Sequence, residues 1–273
     1  MEASKKRVFY YHADASPIGG HFTRPYVKIV PSHGSSSLPQ AGGHASARVS
    51  SYRLDGLVSF DNAYSEVYGS ENTANKSWTT QVTSVVEGLN IFETIMADRV
   101  VASLSVEHPK ADGHPRVSVV GTQFENLRIG GVTVNPILTK SLITPHQEGK
   151  FPTNAVIEDE NFVARAVGQG EKLSRATSPV EWLKDRYGWV QSQEERKRKG
   201  YVICSLVDEV QGAKPGSSFG HVMHVPEFGN VFLSELLTDQ HAFRLTMIRI
   251  EMGCPVEGTV SIGTGDSNGS PMP

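Results

Sequence analysis

The sequence predicts an all-β fold, either a β-sandwich or an irregular β-solenoid, with one inserted α-helix. Three observations predict it. Runs rich in β-branched and aromatic residues recur along the chain. Gly (26) and Pro (15) are frequent enough to end those runs in turns. Only one stretch carries the punctuation of a helix start. A closed barrel calls for a more even strand rhythm than this chain has. The 273 residues are 38% hydrophobic and carry a formal net charge of -3, which excludes a highly charged disordered chain and a collagen-like one. Two cysteines are too few for a disulfide scaffold.

The elements follow in order. Residues 8–11 and 26–30 read as strands, with a turn at Ser16-Pro17-Ile18-Gly19-Gly20 between them. Residues 31–46 are rich in Pro, Ser and Gly and read as a mobile loop or lid. From Ala47 to Pro136 the chain reads mostly as β, with strands at Arg48–Leu54, Leu57–Phe60, Thr80–Val86, Val100–Val106 and Arg116–Val120. Residues 144–154 read as a linker, and Gly168-Gln169-Gly170 as a plain turn. The helix is placed at residues 179–199, because Ser178-Pro179-Val180-Glu181 has the pattern of a capping box. It closes with acids at Glu194-Glu195, bases at Arg196–Lys199 and a stop at Gly200, an order that suits the helix dipole. Strands return at Tyr201–Val207, His221–Val225, Asn230–Leu237 and Ala242–Met252, the last across a bulge. This divides the chain into a β-rich region with internal repeats (1–143), a linker and helix (144–200), C-terminal strands packed on the same domain (201–257) and a flexible tail (258–273).

The repeats rest on three short matches. Leu54-Asp55-Gly56-Leu57 resembles Val86-Glu87-Gly88-Leu89 and Phe124-Glu125-Asn126-Leu127. Gly or Asn after an acid tolerates left-handed backbone, so the chain can turn or bulge at each copy. Asp55, Glu87 and Glu125 then either stack as a cation ladder or each accept a backbone N–H in their own turn; the second needs no partner. Ala47-Arg48-Val49, Gly56-Leu57-Val58-Ser59 and Ala97-Asp98-Arg99-Val100-Val101-Ala102-Ser103 belong to a stretch, about residues 45–136, that resembles bacterial repeat-type β proteins called choice-of-anchor P. The resemblance implies an all-β, surface-associated module. It carries over no catalytic residue.

Several side chains are candidates for chemistry. His221, His224 and Glu227 have the types of a divalent-metal set. In a strand, residues three apart face opposite ways, so two imidazoles on one metal need a bulge. His12 and Asp14 fall on one strand face and form a candidate general-base pair. Trp78, Tyr64 and Tyr68 are the candidate platform for a sugar. His33 and His44 sit in the polar loop. Cys204, inside an apolar run, reads as an inert core thiol, and Cys254 as the more accessible one. No Walker A, G-x-S-x-G, dinucleotide or H-E-x-x-H motif is present.

The functional expectation is a non-enzymatic β-scaffold or interaction protein that associates with itself or another protein. The alternative is a metal-dependent hydrolase-like enzyme or a ligand-binding, carbohydrate-class protein. No nucleic-acid partner is expected from the slightly acidic balance, and no membrane span from the short apolar runs. No cofactor is expected under the first reading. The cytoplasm is the default location, with export lacking a cleaved signal as the other route.

Overall fold

Alternating inward apolar residues on long strands build two antiparallel sheets that share one core. In the computed structural model, residues 8–140, 151–253 and 255–272 are described. Eight strands have ten residues or more: β1 (Ala13–Arg24), β2 (Gly43–Leu54), β3 (Val58–Asn72), β4 (Ser77–Ile91), β5 (Ile95–Pro109), β6 (Gly229–Thr238), β7 (Phe243–Met252) and β8 (Glu257–Ser267). The first sheet is the meander β2-β3-β4-β5, extended past β5 by short strands. The second runs Ser218–Phe219, Val222–Val225, β6, β7, β8, β1, Lys28–Val30, with Val202–Ser205 on β6 and Ser36–Ser37 on β1. Strand β1 near the start of the chain therefore pairs with β8 near its end. Phe60, Val82, Leu89, Val100 and Leu104 of the first sheet meet Ile18, Phe22, Leu245, Ile250 and Ile262 of the second in the core. The result is a β-sandwich, and among the described residues there is no solenoid or closed barrel.

Among the described residues there are three α-helices, α1 (Glu160–Ser174), α2 (Leu183–Tyr187) and α3 (Gln193–Lys199), of which α1 and α2 pack on the outer side of the second sheet. Leu173, Ala176, Val180, Leu183 and Tyr187 bury Phe232 and Val222 there in a smaller second core. Helix α1 is capped by Asp159, whose side chain accepts from the Phe162 N–H at 2.8 Å. Its buried residues Phe162, Ala166, Gly170 and Leu173 recur at helical spacing.

Several expectations are corrected. One inserted helix becomes three. The capping box at Ser178 does not form: residues 178–182 are turns and a bend, and α2 begins at Leu183. Burial of Val180 and Leu183 in the second core sets that path. Ser192 caps α3 instead, accepting from the Glu195 N–H, and Gly200 closes it at φ 74° as the sequence indicates. Residues 168–170 are helical, not a turn. The loop over 31–46 is tied down in part, since Ser36–Ser37 pairs with β1 and the Ser36 and Ser65 hydroxyls bond at 2.7 Å. The stretch read as a flexible tail supplies β8, with Val260 and Ile262 fully buried. The linker at 144–154 lies mostly outside the described residues.

Side-chain alternation reverses along one row of each sheet. In the second sheet Pro17-Ile18, Ile262-Gly263, Met247-Ile248 and Leu233-Ser234 are all buried, the last two pairs within longer buried runs at 245–248 and 231–234. Ile18, Ile262, Ile248 and Leu233 are cross-strand partners, so the reversals line up. Gly263 (φ 62°) and Ser234 (φ 51°) supply left-handed backbone. The stretch 16–20 is thus a kinked part of β1, not a turn. The first sheet does the opposite. Ser50, Asn62, Glu87 and Arg99 are partners in one row, and each stands beside a second residue that is also outside the core. Gly88, at φ 64°, belongs to that kink, whereas Gly56 lies in a hairpin turn and Asn126 in a bend. The three matched segments therefore occupy different structural settings.

His108 closes one end of the core against Phe9, ring centres 5.0 Å apart. Burial, with the charge of His241 adding to it, pushes its imidazole down to about 4. The unfolded chain takes up that proton near 6.5, so stability present above pH 6.5 is lost as pH falls towards 4. Urea titrations across this window should show a loss of about 3 kcal/mol that is absent in His108→Phe. An unchanged slope in the variant would refute the assignment.

Candidate functional site

The reversed row shapes the outer face of the second sheet. On a regular strand, outward side chains stand about 7 Å apart; across two inward residues the gap becomes about 10 Å. Four strands share that gap. One bank is the row Ser16, Thr264, Thr246 and Glu235, and the other is Gly19, Ser261, Arg249 and Phe232. Small residues at Gly19 and Ser261 keep the second bank low. Arg186 and Tyr187 from α2, Ile203 and Ser32 complete a groove of about 510 Å³. A smaller cavity of about 230 Å³ shares Leu237, Arg244 and Asp266 with it and reaches His12 and Asp14.

Charge in the groove is paired. Arg249 donates from Nε to Glu235 at 2.7 Å, bonds Glu251, and lies 3.8 Å over the Phe232 ring. Arg186 donates to Glu251 at 2.7 Å. Arg244 donates from Nε to Asp266 at 2.6 Å, and its terminal nitrogens take no other hydrogen bond among the described residues. Tyr187 donates its hydroxyl to Glu235 at 2.6 Å. Burial alone would raise the Glu235 carboxyl, but His221, Arg249 and Tyr187 outweigh it and hold it at about 2. The Asp266 carboxyl is raised by burial, and Asp14 on the adjacent strand adds to this against the pull of Arg244.

The predicted site residues are distributed around this groove and away from it. His12 and Asp14 do come together, Nε2 to Oδ2 at 3.4 Å, at the end of the smaller cavity. His221 is buried behind the groove, its Nε2 3.8 Å from Glu235 and its ring edge-on to Tyr187. His224 instead pairs Nδ1 with Asn230 at 3.0 Å, and Glu227 sits in the following turn. The three do not converge, and among the described residues no group of three His, Cys, Asp or Glu side chains could hold a metal ion. His221 is buried in the turn before the strand Val222–Val225, His224 is held within it by Asn230, and Glu227 follows it in the next turn, so the three point to different places. Trp78 is buried and stacked on Phe9, whereas Tyr64 accepts from Arg99 on the opposite face of the first sheet and Tyr68 is exposed beside it. They form no common platform. Asp55 pairs with Lys28, while Glu87 and Glu125 share Arg99, so no carboxylate ladder forms. Cys204 is buried, and burial pushes its thiol up to about 12. Cys254 lies outside the described residues.

Sequence reasoning missed Arg186, Tyr187, Glu235, Arg244, Arg249 and Asp266. One signal was present: Glu235 is a lone acid inside the apolar run Val231–Leu237. The others needed strand pairing to bring them together.

The fold and groove define a β-sandwich with a helical layer and a polar cleft on its outer sheet. The chain belongs to the family described as Domain of unknown function (DUF8256), which matches residues 9–239. Comparisons with curated proteins and with solved structures returned no match.

Glu235 is the test of the network. The unfolded chain protonates it near 4.5 and the folded chain near 2, so its contribution is present above pH 4.5 and lost as pH falls towards 2. Glu235→Ala should cost about 3 kcal/mol at pH 7, because Arg249 keeps only Glu251 while Tyr187 loses its acceptor and His221 its neighbouring carboxylate. The difference from wild type should shrink below pH 4. A pH-independent difference would show that the ionised carboxylate is not the source.

Proposed function

We propose that the protein binds a small, uncharged, polyhydroxylated ligand of the sugar class in the groove on the outer sheet. One observation carries this reading. The groove alternates Ser and Thr hydroxyls (Ser16, Ser32, Thr246, Ser261, Thr264) with guanidinium groups already paired to carboxylates. Arg186, Arg244 and Arg249 are matched by Glu235, Glu251 and Asp266. An anionic ligand would meet a carboxylate beside each of these guanidinium groups. A polyol both donates and accepts hydrogen bonds and so suits hydroxyls and ion pairs together. The volume falls in the range of about 300–1,000 Å³ usual for small-molecule sites. The reading is one of binding rather than catalysis and invokes no metal. The carbohydrate class is retained from the sequence, but moved from Trp78, Tyr64 and Tyr68 to the groove.

Thermal-shift screening of neutral mono- and disaccharides beside sugar acids and sugar phosphates tests it. A neutral sugar at 100 times its Kd should add about 2.7 kcal/mol of stability. Arg244→Ala and Thr264→Val should each abolish that shift while leaving the ligand-free melting temperature within about 3 °C of wild type. Stabilisation by the anionic sugars alone, or by none of the panel, would overturn the reading.

A further inference from the structure

Among the described residues each sheet ends on one side in a two-residue strand, Val132–Thr133 or Ser218–Phe219, and on the other in a longer strand with an open edge. Strand β2 ends the first sheet and pairs only with β3, and Lys28–Val30 ends the second and pairs only with β1. Among the described residues neither outer edge takes a backbone hydrogen bond. An unpaired edge is a template for another strand unless charge or cover protects it. The two edges differ in that protection. Strand β2 carries His44, Arg48 and Arg53 and no acid. Two copies set side by side there would oppose like charges.

The Lys28–Val30 edge is built differently. Tyr26 is 74% exposed, Val27 78% and Ile29 70%, three large apolar residues within four positions. Beside them is a second cavity of about 510 Å³, lined by Phe22, Pro25, Tyr26, Leu57 and Val256. Its rim carries both signs: Lys28 pairs with Asp55 at 2.9 Å, and Arg24 with Glu257 at 3.2 Å. A surface with adjacent positive and negative groups is complementary to its own copy turned through a two-fold axis, because each cation can then meet the other copy's anion.

We propose that two copies of this chain associate through this edge. The Lys28–Val30 strands of the two copies pair across a two-fold axis, and Val27 and Ile29 are covered. Tyr26 of each copy packs at the apolar cavity of the other, and Lys28 of each faces the other's Asp55. The groove opens on the outer face of the second sheet and is lined beside this edge by Gly20 and Ser32.

Sedimentation velocity and native mass spectrometry of the full chain over a concentration series test this. Wild type should pass from one-chain to two-chain mass as concentration rises. The double variant Val27→Lys/Ile29→Lys should stay at one-chain mass with its melting temperature unchanged. Lys28→Glu alone and Asp55→Lys alone should each weaken association by about tenfold or more, since like charges then meet across the axis. An equimolar mixture of these two variants should regain the two-chain species as a hetero-pair. One-chain mass for wild type throughout, a two-chain species that survives Val27→Lys/Ile29→Lys, or a mixture that fails to pair would each overturn the proposal.

Discussion

The groove depends on one backbone event, the reversal of side-chain alternation in the same row of four neighbouring strands. A reversal on one strand alone would turn its apolar residues to the solvent side while its neighbours kept theirs in the core. Pro17, Gly263, Met247 and Ser234 therefore change together, and the ladder register is unbroken across them. Gly263 adopts left-handed backbone freely, whereas Ser234 does so at a cost of about 1–2 kcal/mol. A Cβ built on Gly263 would lie 3.6 Å from Val100 in the facing sheet, so the row presses towards the other half of the sandwich. The first sheet yields outward in its own kinked row. The two kinks have opposite sense, and this lets the core stay closed.

The outer face of the second sheet has two jobs as a result. Near β6 it is apolar, and Phe232 anchors the helices. One strand further on it is ionic, and Arg249 lies over Phe232 while binding Glu235 and Glu251. Tyr187 joins both regions, packing in the second core while its hydroxyl meets Glu235. Helix α1 is fastened to the same sheet by Gln169, whose side-chain amide both accepts from and donates to the Ser205 backbone at 2.7 and 2.9 Å. The helical layer thus rests on polar contacts that also shape one wall of the groove.

Much of the fold was legible along the chain. Val202–Ser205, Val222–Val225, β6 and β7 fall where apolar and β-branched residues predict them, and the break after Met247 was visible as a change of phase. Helix α1 was not, because Phe162, Ala166, Gly170 and Leu173 are spread among polar residues and two glycines, and their period shows only with Asp159 taken as a cap. Strand β8 was hidden by its Gly, Ser and Thr content. Those small residues are what allow close approach: a Cβ on Gly265 would lie 2.9 Å from Val82 of the facing sheet. Of the candidate site residues, His12 and Asp14 met because His12 immediately precedes β1 and Asp14 is its second residue, two positions along extended chain. His221, His224 and Glu227 separated because only His224 lies in the strand Val222–Val225, with His221 in the turn before it and Glu227 in the turn after it.

The sequence by itself determined the class of architecture, since alternation and turn residues act within a few positions of one another. It also determined the end of α3, where the acid-to-base order and Gly200 act locally, whereas its start at Ser192 came from the structure. Tertiary structure alone decided the sandwich over the solenoid, and the pairing of β1 with β8 across almost the whole chain. It also decided the groove. Arg186, Glu235, Arg244, Arg249 and Asp266 sit on separate elements, and only strand register brings their charges within bonding distance. Register is a relation between strands far apart in sequence, set by burial of one whole face against another.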